Sequence, residues 1–122
     1  MTKTVLIVDD SASLRQVVGI MLDGAGYELI EACDGSEALG KLNKREVNLI
    51  ISDVSMPNMD GIAFVKTVRD MPNHKGTPII MLTSGFNNAS RQEAREAGVK
   101  AWMVKPFDKD KLLEMVTRFA LP

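Results

Sequence analysis

Cysteine is almost absent from this 122-residue chain. The single one, Cys33, has no partner for an internal disulfide. That fits a reducing compartment without requiring one, and a small core residue is expected there. An excess of either charge is missing as well: 15 Lys and Arg stand against 16 Asp and Glu, a net charge of −1. So weak a field gives no electrostatic grip on nucleic acid or on an anionic membrane, and neither is expected as a partner. Long apolar runs are also lacking. The first, "VLIV" from Val5 to Val8, is too short for a signal-peptide core or a membrane span, so a cytoplasmic location is expected. The one histidine, His74 in "MPNHKGTP", has no acid or cysteine at ligand spacing and is expected to be a solvated loop residue. There is no internal repeat, low-complexity tract, linker or calcium-loop spacing.

What is present is an ordinary globular balance, 45% hydrophobic and 25% charged, at a length that suits one domain over residues 1–122. Apolar runs recur as "VLIV", "NLIIS" (48–52), "PIIML" (78–82) and "AWMV" (101–104), with a weaker "YELIEA" at 27–32. Continuous rather than alternating runs indicate strands covered on both faces. Between them the period is helical. Leu14, Val17, Val18, Met21 and Leu22 form a first stripe that closes at Gly24 or Gly26. Ser36 is the expected opener of a second helix and Asp60 of a third carrying Ile62, Val65 and Val68. A polar fourth, 88–97, offers mainly alanines and should pack shallowly. The fifth starts near Asp108, with Leu112, Val116 and Phe119 at helical spacing, and Pro122 follows it directly, so a stand-alone domain is expected. Five strand-helix alternations predict an α/β fold with a doubly wound parallel sheet and right-handed crossovers.

In such a sheet the functional crevice lies beyond the carboxyl ends of the strands. Asp9 and Asp10 end the first strand, Asp53 the third, Thr83 and Ser84 the fourth, and Lys105 the fifth. Two carboxylates about 5 Å apart repel by roughly 3 kcal/mol at an effective dielectric near 20, so three acids at one edge call for a cation. An all-oxygen donor set with open water positions suits Mg2+. The plainer alternative is that Asp9, Asp10 and Ser11 merely cap the first helix. It leaves Asp53 and Lys105 unexplained.

The motifs "VDDS" (8–11), "SDVSMPNMDG" (52–61), "TS" (83–84) and "KPF" (105–107) resemble, together and at these spacings, the receiver domain of two-component response regulators over essentially the whole chain. The resemblance implies a flavodoxin-like sheet of five parallel strands in the order 2-1-3-4-5 with five helices. It implies that Asp53 is the phosphoacceptor, and that Asp10, Asp9, Asp53 and the backbone carbonyl of Ser55 hold Mg2+. Thr83 would donate its hydroxyl to a phosphoryl oxygen, Lys105 would neutralise charge, and the Lys105–Pro106 bond would be cis. The family's switch aromatic falls on Trp102, where Tyr or Phe is more usual; indole is bulkier and only donates. Plain core packing is the alternative for that ring. Met56, Pro57 and Met59 read as core filler and loop anchor, and Gly85 as room for the loop after Thr83.

The implied partners are a histidine kinase or phosphotransfer domain, an output protein and, as a further candidate, a phosphatase. The activity is confined to self-phosphorylation and autodephosphorylation. "DDSASLRQ", "AGYELIEACDG" and "AWMVKPF" resemble the chemotaxis type, for which the output is a flagellar motor switch component. A phosphorelay intermediate or phosphate sink is the alternative. A metabolite phosphohydrolase of similar fold is disfavoured, because Ser55 stands where those enzymes carry a second Asp. Flavin binding is disfavoured because the first loop offers carboxylates in place of a phosphate cradle.

Overall fold

Val5 to Val8 are all fully buried, yet they serve two different cores. Leu6 and Val8 join one apolar cluster while Val5 and Ile7 join another. Side chains of a strand alternate between faces. An unbroken apolar run is therefore what a strand sandwiched between two helical layers requires.

The computed structural model of the protein describes residues 2–54, 59–83 and 88–120, the side chains of 88–91 excepted. Its elements alternate as β1 (Thr4–Val8), α1 (Ala12–Asp23), β2 (Glu28–Ala32), α2 (Gly35–Leu42), β3 (Leu49–Asp53), α3 (Gly61–Arg69), β4 (Ile79–Thr83), α4 (Asn88–Glu96), β5 (Ala101–Val104) and α5 (Lys109–Phe119). A short 3-10 turn, Pro72–His74, interrupts the α3–β4 connection. All neighbouring strands pair in parallel, in the order β2-β1-β3-β4-β5. The order implied by the resemblance is thus the observed one.

One layer packs Ala38 and Leu42 of α2 and Phe64, Val65 and Val68 of α3 against Leu6, Val8, Ile50, Ile79 and Met81. The other packs Val18 and Leu22 of α1 and Leu112, Met115 and Val116 of α5 against Val5, Ile7, Leu49, Ile51, Ile80 and Leu82. Each such Val, Leu, Ile, Phe or Met side chain contributes about 1.5–3 kcal/mol on burial, against about 1 kcal/mol for a helix cap. Packing decides where the helices lie, and caps decide where they begin. Ser11, Asp34, Asp60 and Asp108 each accept a backbone N–H three residues on, from Leu14, Glu37, Ala63 and Lys111.

Four expectations need correction. Asp34, not Ser36, opens α2, since its carboxylate reaches the Glu37 amide at 2.8 Å. Val17 is 45% exposed and lies off the buried stripe of α1. Cys33 is half-buried beyond the end of the edge strand β2, its thiol 3.3 Å from a Glu37 carboxylate oxygen. That hydrogen bond, first of all, raises the thiol pKa above its ordinary value. His74 is 2% exposed. Its Nε2 lies 3.1 Å from the Leu42 carbonyl and its Nδ1 3.1 Å from the Thr77 hydroxyl. A carbonyl only accepts, so Nε2 carries a proton, and the ring satisfies one of the orphan carbonyls at the end of α2.

Tyr27, just ahead of β2, donates its hydroxyl to the Ala120 carbonyl at 2.7 Å in a buried bond 93 residues apart in sequence. Tyr27→Phe leaves that carbonyl unsatisfied. The variant is expected to lose about 1 kcal/mol of unfolding free energy in urea titration, with an unchanged denaturant slope.

Candidate functional site

The strand register sets the site. Val8 pairs with Ser52 across β1 and β3, so the next residues, Asp9 and Asp53, emerge side by side. Thr83 pairs with Val104, which brings Lys105 past the end of β4. The Lys105 amide donates to the Thr83 carbonyl at 2.7 Å, and the Lys105–Pro106 peptide is cis, as the resemblance implied.

Asp9 is fully buried and Asp53 is 8% exposed, while Asp10 faces solvent. Each of the three offers a carboxylate oxygen, and these oxygens lie within 4.8 Å of one another. The Lys105 ammonium donates to Asp9 Oδ2 at 2.8 Å and to Asp53 Oδ2 at 3.3 Å. At an effective dielectric near 20 each attraction is worth about 5–6 kcal/mol before desolvation, against about 3 kcal/mol for a carboxylate pair at this spacing. Burial pulls the Lys105 pKa down. The hydrogen bond and charge of Asp9 and those of Asp53 outweigh it, and the pKa lies above the ordinary lysine value.

Two backbone features hold this geometry. Asp9 Oδ1 accepts the Ser11 amide at 2.9 Å, and Ser11, not either aspartate, caps α1. The capping alternative therefore accounts for Ser11 alone. Gly61 donates its amide to the Val54 carbonyl at 2.8 Å and lies flat against the end of β3. A Cβ there would fall on the Asp53 carbonyl, 2.6 Å from Met81 Cε and 2.8 Å from Val54 Cα. The glycine in "MDG" is thus a steric requirement of Asp53, a role that its place in the motif does not disclose.

Thr83 stands at the end of β4, half-buried. Trp102, also half-buried, packs against the α2/α3 core at a register position opposite Met81, so it is in contact with the core and not among the acids. Ser55, Met56 and Pro57, like Ser84 and Gly85, lie outside the described residues. The structure gathers Asp9, Asp10, Asp53 and Lys105 at one sheet edge beside Thr83. Three carboxylate oxygens at this spacing can hold a metal ion, and an all-oxygen set favours a hard one.

Residues 5–117 match the response regulator receiver domain. The chain belongs to that family. Among solved structures, the receiver is similar to the chemotaxis protein CheY4 of Vibrio cholerae, at 46% identity and a TM-score of 0.94, covering 98% of this chain and 99% of that one. It is also similar to the receiver domain of a Pseudomonas aeruginosa sensor histidine kinase whose structure holds a magnesium ion in the active-site cleft. That match has 26% identity, a TM-score of 0.88 and 98% coverage of both chains. Among curated relatives, Protein PilG of Pseudomonas aeruginosa is 33% identical over 89% of this chain and 81% of its own length. The sensor kinase/phosphatase CqsS of Vibrio cholerae is 33% identical over 93% of this chain, which spans only 17% of that protein. Family membership gives the chain a phosphoacceptor signalling role.

Gly61→Ala is expected to cost about 1–3 kcal/mol in urea unfolding, because the displaced atoms are mostly backbone. Removal of the ammonium in Lys105→Met should destabilise the metal-free receiver from neutral pH to about pH 9. Folding raises the Lys105 pKa, so its contribution is complete below the unfolded lysine value of about 10.4 and fades as pH climbs through the folded value. The gap between variant and wild type, measured by urea titration in chelator, should therefore narrow above about pH 10.4.

Proposed function

We propose that Asp53 accepts a phosphoryl group from a phosphohistidine on a histidine kinase or phosphotransfer domain, and that the receiver thereby switches its binding to an output protein. The observation that carries this reading is the convergence of Asp9, Asp10 and Asp53 within 4.8 Å beside the Lys105 ammonium. A carboxylate oxygen of Asp53 attacks phosphorus as the P–N bond to the donor imidazole breaks. The imidazole nitrogen keeps the bonding electrons and takes up a proton.

Mg2+ held by Asp9, Asp10, Asp53 and the Ser55 carbonyl would neutralise charge on the phosphoryl oxygens during transfer. Lys105, bonded to Asp53 and Asp9, would turn to a phosphoryl oxygen while Asp9 holds it at the site. Positioning and electrostatic neutralisation are most of what phosphoryl transfer needs. Thr83 would donate its hydroxyl to the new group, drawing the end of β4 toward Asp53. The ring of Trp102, on the neighbouring strand, is the candidate reporter of that movement.

The whole sequence, 1–122, acts on this reading as one receiver domain in the cytoplasm; among the described residues no helix is long and apolar enough to cross a membrane. Likeness to the chemotaxis protein CheY4 supports a chemotaxis role; on that reading the output is a flagellar motor switch component, with a phosphatase as a further partner. Likeness to CqsS supports the second reading, a relay between phosphotransfer domains. Beryllofluoride-activated protein that captures the motor component supports the first; rapid phosphate exchange between two phosphotransfer domains supports the second.

Asp53→Asn is expected to abolish labelling by acetyl phosphate, read by mass spectrometry as a phosphoryl group that base and hydroxylamine remove, as they do from an acyl phosphate. Chelator should abolish labelling of the wild type. An acyl phosphate still forming on the variant would remove Asp53 from the role.

A further inference from the structure

Every polar group of Asp9 is engaged. Its amide donates to the Ala32 carbonyl at 3.1 Å, its two carboxylate oxygens accept from Ser11 and Lys105, and its own carbonyl accepts from Arg15 Nη1 at 2.5 Å. Arg15 lies one helical turn into α1 and belongs to neither the acid cluster nor the core. Its Nε is fixed to Glu31 Oε1 at 3.1 Å, and the side chain is only 17% exposed. Glu31 is held in turn by β2, paired with Ile7, and its carbonyl accepts from Lys41.

The carbonyl that Arg15 holds is half of the peptide unit joining Asp9 to Asp10. That unit is planar. Fixing the oxygen restrains that plane, which includes the Asp10 Cα, and leaves rotation about the Asp10 N–Cα bond as the one backbone freedom that sets where its side chain leaves the chain. Asp10 is the exposed member of the cluster and has no burial to hold it in place. Residues that orient metal ligands from outside the ligand set matter to affinity nearly as much as the ligands do.

We propose that Arg15, anchored by Glu31, is a positioning residue that holds the Asp9–Asp10 peptide plane so that both carboxylates converge on one divalent cation. This rests on the cation reading of the acid cluster given above. The guanidinium is suited to the task because its rigid fork reaches two acceptors at once, which an ammonium on a flexible stem does not.

Charge and position make opposite predictions here. A guanidinium beside an acidic site repels Mg2+, so its removal would tighten binding if charge were its whole effect. If Arg15 positions the acids, its removal loosens binding. Mg2+ titration by calorimetry, on variants shown folded by their urea midpoints, decides between them. Arg15→Gln is expected to weaken Mg2+ binding about 10-fold or more, with Arg15→Lys intermediate and Glu31→Gln weakened in the same direction. The Arg15→Gln/Glu31→Gln pair keeps the net charge and should be no weaker than Arg15→Gln alone. Amide hydrogen exchange at Asp10 and Ser11 in metal-free protein should be faster in Arg15→Gln than in wild type.

Equal or tighter Mg2+ binding by Arg15→Gln, with unchanged exchange, overturns the proposal while leaving the cation site standing. If Arg15→Gln does not fold, the same comparison is made on Glu31→Gln, and wild-type affinity there overturns it equally. Absence of Mg2+ binding to the wild type overturns the cation reading itself and the proposal with it.

Discussion

Two carboxylates at the ends of neighbouring buried strands can coexist only with positive charge against them, and in this receiver the charge is the Lys105 ammonium, bonded to both Asp9 and Asp53. It comes from the far end of the chain, 96 residues from Asp9. The β5 strand is therefore tied to β1 and β3 by charge as well as by its ladder to β4. Removing one member of such a set leaves an uncompensated buried charge, which costs more than the pairing itself contributes.

Everything else at the site follows from register. Pairing of Val8 with Ser52 and of Thr83 with Val104 is set by apolar side chains filling two separate cores, and a slip of one residue would exchange the faces of a whole strand. The acids are thus positioned by residues that have no part in the chemistry. Gly61 and Arg15 then refine the placement: one lets the α3 backbone lie against Asp53, and the other holds the peptide unit behind Asp10.

Strand runs, helix starts at Asp60 and Asp108 and the acid cluster were all legible in the sequence, because each depends on local pattern or on a motif at fixed spacing. The strand order came with the family resemblance, not from periodicity. What was not legible depends on distant partners. His74 looked solvated because "MPNHKGTP" is composed like a loop, and its acceptor is the Leu42 carbonyl, 32 residues away. Val17 fits a helical stripe by spacing, but α1 needs a narrower face than the pattern offers. Cys33 was expected in the core from residue type alone, whereas the strand it follows lies at the sheet edge. Arg15 gave no signal, since a helical arginine near an acidic loop is common. Its bond to a carbonyl is a fact of geometry.

The two ends of the sheet are built on different physics. At the end away from the acids, where the carboxylate pair, Arg45 with Glu28, is at the surface, a half-buried cation and buried neutral donors meet carbonyls. Arg69 donates to those of His74, Thr77 and Gly98, His74 to that of Leu42, and Tyr27 to that of Ala120. None of these bonds uses a carboxylate. A five-residue strand is about 17 Å long, and at an effective dielectric near 20 two unit charges that far apart interact by only about 1 kcal/mol. A change of charge at the acid end is therefore felt only weakly across the sheet as an electrostatic field. It acts through what is mechanically attached to the acids: the Lys105 ammonium, the end of β4 bonded to the Lys105 amide, and the Asp9–Asp10 peptide. Separation of this kind lets the acid end change its charge while the carbonyl-bonded end keeps the strands in register.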